Sequence, residues 1–433
     1  MATSISGGNG DNANITDDLC SFIVSATYSQ LTASHVDKLK DLITDCIGIA
    51  AGAASISESG EPFLRAVIAL GGQNAGRSTV FSKGKNFSIQ YAGLLNAAFA
   101  HSFDFDDTHA SSILHPGATI IPAALAQAEV TCRIGRAYNY GGYTRGFHNT
   151  STAGIFGAVA TIAKLRNLTF EQVRNALGIA GSKAAGSMQF LENGAWNKRL
   201  HPGFAVHDAF VSVVMAEAGV VGASRVIEGR YGALHSFSAT ADRAGLGEGL
   251  GREWISLETA IKPFPACRMT HSAIEVVAKQ AMMVGGTTNE KVFEKVTVAL
   301  SPGCYPIVGP PDSNRVHPKT IVDGQFSMYY QVAIAWLYGM DIGWGMYDKA
   351  RMESEEVRGL CDKVEVVIAE DVPDLAVRVT FRWTDGSVTE VGQVFPLGEV
   401  QYPFEKKRRT AMAILDVIER IHEQTTADLM RLL

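Results

Sequence analysis

The sixteen residues HSFDFDDTHASSILHP, positions 101–116, hold three aspartates and three histidines. Carboxylates and imidazoles this close supply general acid–base chemistry near neutral pH. Asp104, Asp106 and Asp107, with Thr108 and His109, follow directly on an apolar helical stretch. Carboxylates at the C-terminal end of a helix oppose its dipole, so the cluster reads as a functional loop rather than a solvated helix end. His115 precedes Pro116 and Gly117 where the next helix begins, a position suited to meeting an anion. The spacing matches neither H-E-x-x-H nor a glycine-centred calcium loop, so metal binding is the weaker reading of these residues.

Further ionisable residues stand between apolar helices. GFHNTSTAG carries His148 before a Thr/Ser cap, where a lone histidine is more commonly a capping residue than a catalyst. WNKRLHPG carries Lys198, Arg199 and His201, and the flanking Trp196 and Leu200 imply partial burial. Buried cations require an anionic partner, here an aspartate of the first cluster or a bound carboxylate. IKPFPACRMTH places Lys262, Cys267, Arg268 and His271 at a change of texture in the chain, and such junctions favour small-molecule sites. Cys267 has no base beside it in sequence, and Tyr329 and Tyr330 sit on an apolar helix where core packing is the simpler reading. No dinucleotide fingerprint after a strand, Walker loop or G-x-S-x-G elbow occurs, which disfavours nucleotide cofactors and serine hydrolysis.

The elements that position these residues are mainly helical. To about residue 262 the chain reads as Ala/Gly-rich apolar helices, with Thr32 or Ser34, Ser88 and the TFEQ capping box as start signals. Alternating stretches then appear in EKVTVALSP, DKVEVVIAE and AVRVTFRWTDGSVTEVGQV, with Asp385–Gly386 as a hairpin turn. The expected organisation is a disordered tail over 1–15, a helical domain over 16–262, an α+β unit over 263–395, and a C-terminal amphipathic helix over 396–433 returning to the helical domain. A net charge of −6 without a basic run argues against nucleic acid, while short, Gly/Ser-interrupted apolar runs argue against a membrane span. Six cysteines without a C-x-x-C pair fit a reducing compartment, and the N-terminus resembles neither a secretory nor a transit signal, so a cytoplasmic location is expected, with the mitochondrion left open.

Six blocks in order, NAAFAHSFDFDDTH…LHPGA, GFHNTSTAGIFGA, NALGIAGSKAAG, NKRLHPGFA, KPFPACRMTHSAIE and QFSMYYQVA, resemble the MmgE/PrpD family. That family includes 2-methylcitrate dehydratases, cis-aconitate decarboxylases and an iminodisuccinate epimerase. The resemblance implies a mostly α protein, a large all-helical domain with a smaller α+β lid, working as a homodimer without metal or organic cofactor. It implies Asp104, His115, His148, Lys198, Lys262 and Tyr330 as catalytic residues. Thr108, His201, Cys267 and His271 are the matching candidates for holding a di- or tricarboxylate substrate, Cys267 standing where the animal decarboxylases use a histidine. One departure is plain: a helix-length family segment is missing, and Glu129 runs almost straight into Cys132. Dehydration of a citrate or alkylcitrate is the favoured activity, decarboxylation of a cis-aconitate-type acid the alternative, with epimerisation or an inactive scaffold behind them.

Overall fold

The computed structural model describes residues 14–84, 86–120, 125–285 and 293–404. Helices dominate as far as Glu217. Thr32 caps Ala33–Ile56 and Thr169 caps Phe170–Ala180, each through a capping box with the residue three positions on. Ser88 precedes Ile89–His101 in the cap position without a side-chain bond. The long helix Asn197–Glu217 packs on both Ile89–His101 and Gly154–Leu165. Small residues make that crossing close: a Cβ on Gly203 would stand 2.6 Å from the Leu94 carbonyl oxygen. The close approach matters because both helices deliver site residues, His101 at the end of one and Lys198 at the start of the other.

The alternating stretches form a sheet as the sequence indicates. Strand β1, Gln73–Ser78, lies in the helical half; β2 Phe293–Leu300, β3 Val364–Ile368, β4 Val377–Trp383 and β5 Val388–Gln393 follow. The last four make one sheet in the order β3-β2-β4-β5, with β2 and β3 parallel and the other pairs antiparallel. The β4–β5 turn uses Gly386 at φ 82°, a conformation that costs glycine little. Helices His271–Met283 and Met328–Tyr338 bury their apolar residues with the sheet's inner face in one core, which is separate from the two cores of the helical half.

At the expected departure after Glu129 the helix is continuous. Glu129 and Cys132 lie in one helix, Leu125–Thr144, kinked at Asn139. The buried Glu129 carboxylate accepts the backbone N–H groups of Ile255 and Ser256 and pairs with Arg133 at 2.6 Å. Arg133 also donates to the carbonyls of Leu246, Glu248 and Glu253. This helix therefore holds the 246–256 segment, and the chain beyond it reaches the site: Ala260 and Thr108 exchange both backbone hydrogen bonds. The expected tail falls outside the described residues up to 13, and a helix already starts at Ile15. The expected C-terminal helix lies outside them from 405 onward. Among the described residues no helix is long and apolar enough to cross a membrane.

Candidate active site

A cavity of about 280 Å³ lies where the helical half meets the sheet-bearing half. Asp104, Thr108, His115, His148, Lys198 and Cys267 all border it, so six of the ten residues expected at a site converge on one space.

Asp104 organises its charged end. The residue adopts φ 49°, a left-handed conformation that non-glycine side chains rarely take. Lys262 holds it there: its ammonium donates to the Asp104 carbonyl at 2.7 Å, to the Asp104 carboxylate at 2.6 Å and to the Ala266 carbonyl at 3.0 Å. An ammonium has three donors, so Lys262 has none left for a substrate, and it does not border the cavity. Lys198 approaches the same Asp104 oxygen at 2.8 Å as an ion pair without hydrogen-bond geometry, and it does border the cavity. Burial alone would raise the Asp104 pKa. Lys198 and Lys262 outweigh it and hold the carboxylate well below the usual range. The anionic partner that a buried lysine requires is thus internal.

The histidines belong to a different aspartate. Asp106 Oδ2 lies 2.7 Å from His101 Nδ1 and 3.3 Å from His115 Nδ1, whereas Asp104 is 3.9 Å from His115 Nε2. Burial pushes His101 down to about 3 and also lowers His115, against the opposing pull of Asp106. His101, Asp106 and His115 also stand close enough together to hold a metal ion, a grouping that linear spacing did not disclose. Lys198 and Lys262 add positive charge beside it, which works against a cation and suits a carboxylate held between two imidazoles. Asp107 takes a structural part: its carboxylate accepts the Gly117 N–H at 2.8 Å, and a Cβ on Gly117 would lie 2.5 Å from its other oxygen. The Gly117 N–H at that helix start is therefore met by Asp107, while the carboxylates beside His115 are Asp104 and Asp106.

His148 Nδ1 lies 3.0 Å from His201 Nδ1, so one ring must donate and the other accept. Burial lowers both pKa values, His201 to about 4, and each ring is neutral. His201 supports His148 from behind and does not border the cavity.

The sheet-bearing side supplies a different wall. Ile307, Phe326, Leu375 and Phe395 line it together with Arg268 and Glu399. Arg268 donates from Nε and Nη2 to one Glu399 oxygen, at 2.9 and 2.8 Å, so its charge is met within the protein. His271 lies behind it, Nδ1 3.0 Å from Arg268 Nη1 and Nε2 3.1 Å from the Ala266 carbonyl, away from the cavity. Burial pushes the Cys267 thiol up to about 12, which keeps it a thiol and removes it as a nucleophile. Tyr330 is buried in the sheet-side core, its hydroxyl donating to the Met346 carbonyl; it does not border the cavity. Lys262, His201, His271 and Tyr330 are thus second to other groups rather than exposed to the space itself.

Sequence reasoning chose Asp104 from three aspartates and overlooked Asp106 as the histidine partner. It also missed the Arg268–Glu399 pair and Phe326. Asp106 was visible as a member of the 101–116 cluster; Glu399 stands far along the chain and carried no signal.

Comparison with known proteins identifies the family. Residues 17–131 and 128–244 match the MmgE/PrpD N-terminal domain, and residues 264–411 match the MmgE/PrpD C-terminal domain. The two N-terminal matches meet where Glu129 approaches Cys132. The cis-aconitate decarboxylase-like protein oryM of Aspergillus oryzae is 25% identical over 479 aligned positions, covering 97% of this chain and 96% of that protein. That alignment is longer than the 433 residues of the chain, so it contains gaps. The cis-aconitate decarboxylase of Aspergillus terreus is 26% identical over 439 positions, covering 92% of this chain and 88% of that protein.

Proposed function

The chain belongs to the MmgE/PrpD family, and from that premise we propose that it is a lyase acting on a citrate- or aconitate-like polycarboxylic acid. One observation carries the reading. Thr108 Oγ1, His148 Nε2, Lys198 Nζ and Asp104 Oδ2 are buried polar atoms without a hydrogen-bond partner among the described residues, and all four side chains border the same cavity. Buried polar groups are normally satisfied, and leaving one unmet costs about 1–3 kcal/mol. Three of the four residues can donate, which suits the oxygens of a polycarboxylate.

Decarboxylation of a cis-aconitate-type acid takes first place, because relatives of that name align over more than nine-tenths of the chain. The substrate's carbon–carbon bond to one carboxylate breaks and carbon dioxide leaves. The electron pair passes through the alkene to a carbon that then takes a proton. Lys198 and Thr108 hold a carboxylate that stays, and His115 or His148 delivers the proton. The apolar side of the cavity disfavours the departing carboxylate as an ion and favours neutral carbon dioxide. Dehydration of a citrate or alkylcitrate is the second reading, supported by two separate histidines at the space: one removes the proton beside a carboxylate and the other protonates the leaving hydroxyl. Within this reading the sheet-bearing half acts as the lid and two copies of the chain form the working unit.

Purified protein incubated with cis-aconitate, citrate and 2-methylcitrate separates the two. Carbon dioxide with a new alkene acid supports decarboxylation, an alkene without carbon dioxide supports dehydration, and neither product from any acid removes the lyase reading.

A further inference from the structure

We propose that Asp106, anchored by His101, is a positioning residue that sets His115 in its Nδ1–H tautomer and turns its Nε2 to the reacting space. The inference rests on the lyase reading for the purpose of His115, and on distances for the arrangement itself.

A single oxygen, Asp106 Oδ2, faces two imidazole nitrogens, His101 Nδ1 at 2.7 Å in a hydrogen bond and His115 Nδ1 at 3.3 Å as a close contact outside hydrogen-bond geometry. A carboxylate only accepts, so His101 Nδ1, which bonds it, carries a proton, and a proton on the nearby His115 Nδ1 is the one Asp106 favours. The ring edges fit this: His101 and His115 meet edge to face, with centroids 4.6 Å apart. His101 is fully buried, follows Ala100 at the end of its helix, and does not border the cavity. It therefore acts on the carboxylate alone, fixing the oxygen that His115 meets. With Nδ1 turned to Asp106, Nε2 is the nitrogen on the Asp104 side of the ring, 3.9 Å from Asp104 Oδ1. A neutral Nδ1–H histidine presents a lone pair at Nε2 and accepts a proton there; the imidazolium so formed is stabilised by Asp106 and returns the proton from the same atom.

The charges around His115 agree with the need for such a partner. Asp104 and Asp106 face it from its own loop, His101 from the preceding helix, His148 from the next, and Lys198 and Lys262 from the two following blocks. The two lysines oppose an imidazolium. Asp106 is the close anion that permits one.

Selective ¹⁵N labelling of histidine in the full chain tests the arrangement without relying on turnover, the His115 signal being assigned by its loss in His115→Gln. The expected spectrum shows neutral His115 with the proton on Nδ1, and a shift toward the Nε2–H form in Asp106→Asn. An Nε2–H tautomer in the unsubstituted protein overturns the proposal. So does stoichiometric zinc retained on purification and lost in His101→Gln, because metal-bound nitrogens carry no proton.

Kinetics give the second measure. Asp106→Asn should lower kcat about 10³-fold with KM changed by less than about threefold, and should move the acid limb of kcat/KM to lower pH. His101→Asn keeps a donor near the Nδ1 position and should lose far less than His101→Leu. A residue of merely structural use would leave the acid limb in place, and that outcome in folded Asp106→Asn contradicts the proposal. If Asp106→Asn does not fold, the tautomer in the unsubstituted protein and the His101 pair decide. Absence of turnover in the unsubstituted protein counts against the lyase reading, while the tautomer still judges the positioning.

Discussion

The two walls of the cavity divide its labour. The helical wall presents Asp104, Thr108, His115, His148 and Lys198, and several of their polar atoms have no hydrogen-bond partner among the described residues. The sheet-side wall presents Ile307, Phe326, Leu375 and Phe395, and its guanidinium, Arg268, is already bound to Glu399. One wall keeps unspent hydrogen-bonding capacity and the other has closed its accounts. Charge and proton transfer therefore belong to the helical wall, and shape belongs to the sheet-side wall.

That contrast orders the expected effects. The largest belongs to Asp104→Ala, which leaves two buried ammonium groups without their carboxylate and an alanine in a left-handed conformation. Losing one partner of a buried pair costs about 3–5 kcal/mol, so chemical denaturation should show a loss of that size together with loss of turnover. A fully stable Asp104→Ala would break the comparison at its centre. Lys198→Met comes next. It removes the ammonium that borders the cavity while Lys262 still neutralises Asp104, so the fold should persist while kcat/KM falls about 10²–10³-fold. Leu375→Ala and Phe326→Ala probe the other wall, and steady-state assays should find kcat within about threefold while KM and preference among substrates shift by about tenfold. A collapse of kcat in Leu375→Ala would show that the sheet-side wall does more than shape.

The smallest effect is a pH dependence of stability. Burial holds His101 near about 3 and His109 and His201 near about 4, below the ordinary 6.5 of an unfolded histidine. Between those values the unfolded chain binds protons that the native protein refuses, so stability falls as pH drops below about 6.5. Asp107, raised to about 7 by burial and by Asp106, contributes in the opposite sense, losing stability as pH rises toward 7. The histidines outnumber it, and thermal melts from pH 7.5 to 5 should show a falling Tm. A Tm that rises over that range would mean the histidines are not buried as described.

Much of this was legible in the sequence because it is local. The capping box at Thr169, the Asp385–Gly386 hairpin and the alternation of β2 to β5 depend on residues within a few positions. The convergence of Asp104, His115, His148 and Lys198 followed from resemblance over several blocks. Direction was not legible. Nothing in linear order distinguishes Lys198, which borders the cavity, from Lys262, whose three donors are spent beneath it, or Asp104 from Asp106. Tyr330 shows the same limit: its helix was anticipated, but its hydroxyl turns to the Met346 carbonyl within the core. The departure after Glu129 was visible in sequence, but the network around it was not, because Ile255, Ser256 and Arg133 are brought to Glu129 only by folding.

Calorimetric titration of a tricarboxylate into the unsubstituted protein, Lys198→Met and Leu375→Ala addresses the division of the walls most directly. Charge-assisted hydrogen bonds contribute about 1.5–3 kcal/mol, so Lys198→Met should bind at least about tenfold more weakly. Leu375→Ala should retain the anion's binding enthalpy. Equal affinity for the tricarboxylate in the unsubstituted protein and Lys198→Met would contradict the assignment of anion recognition to the helical wall.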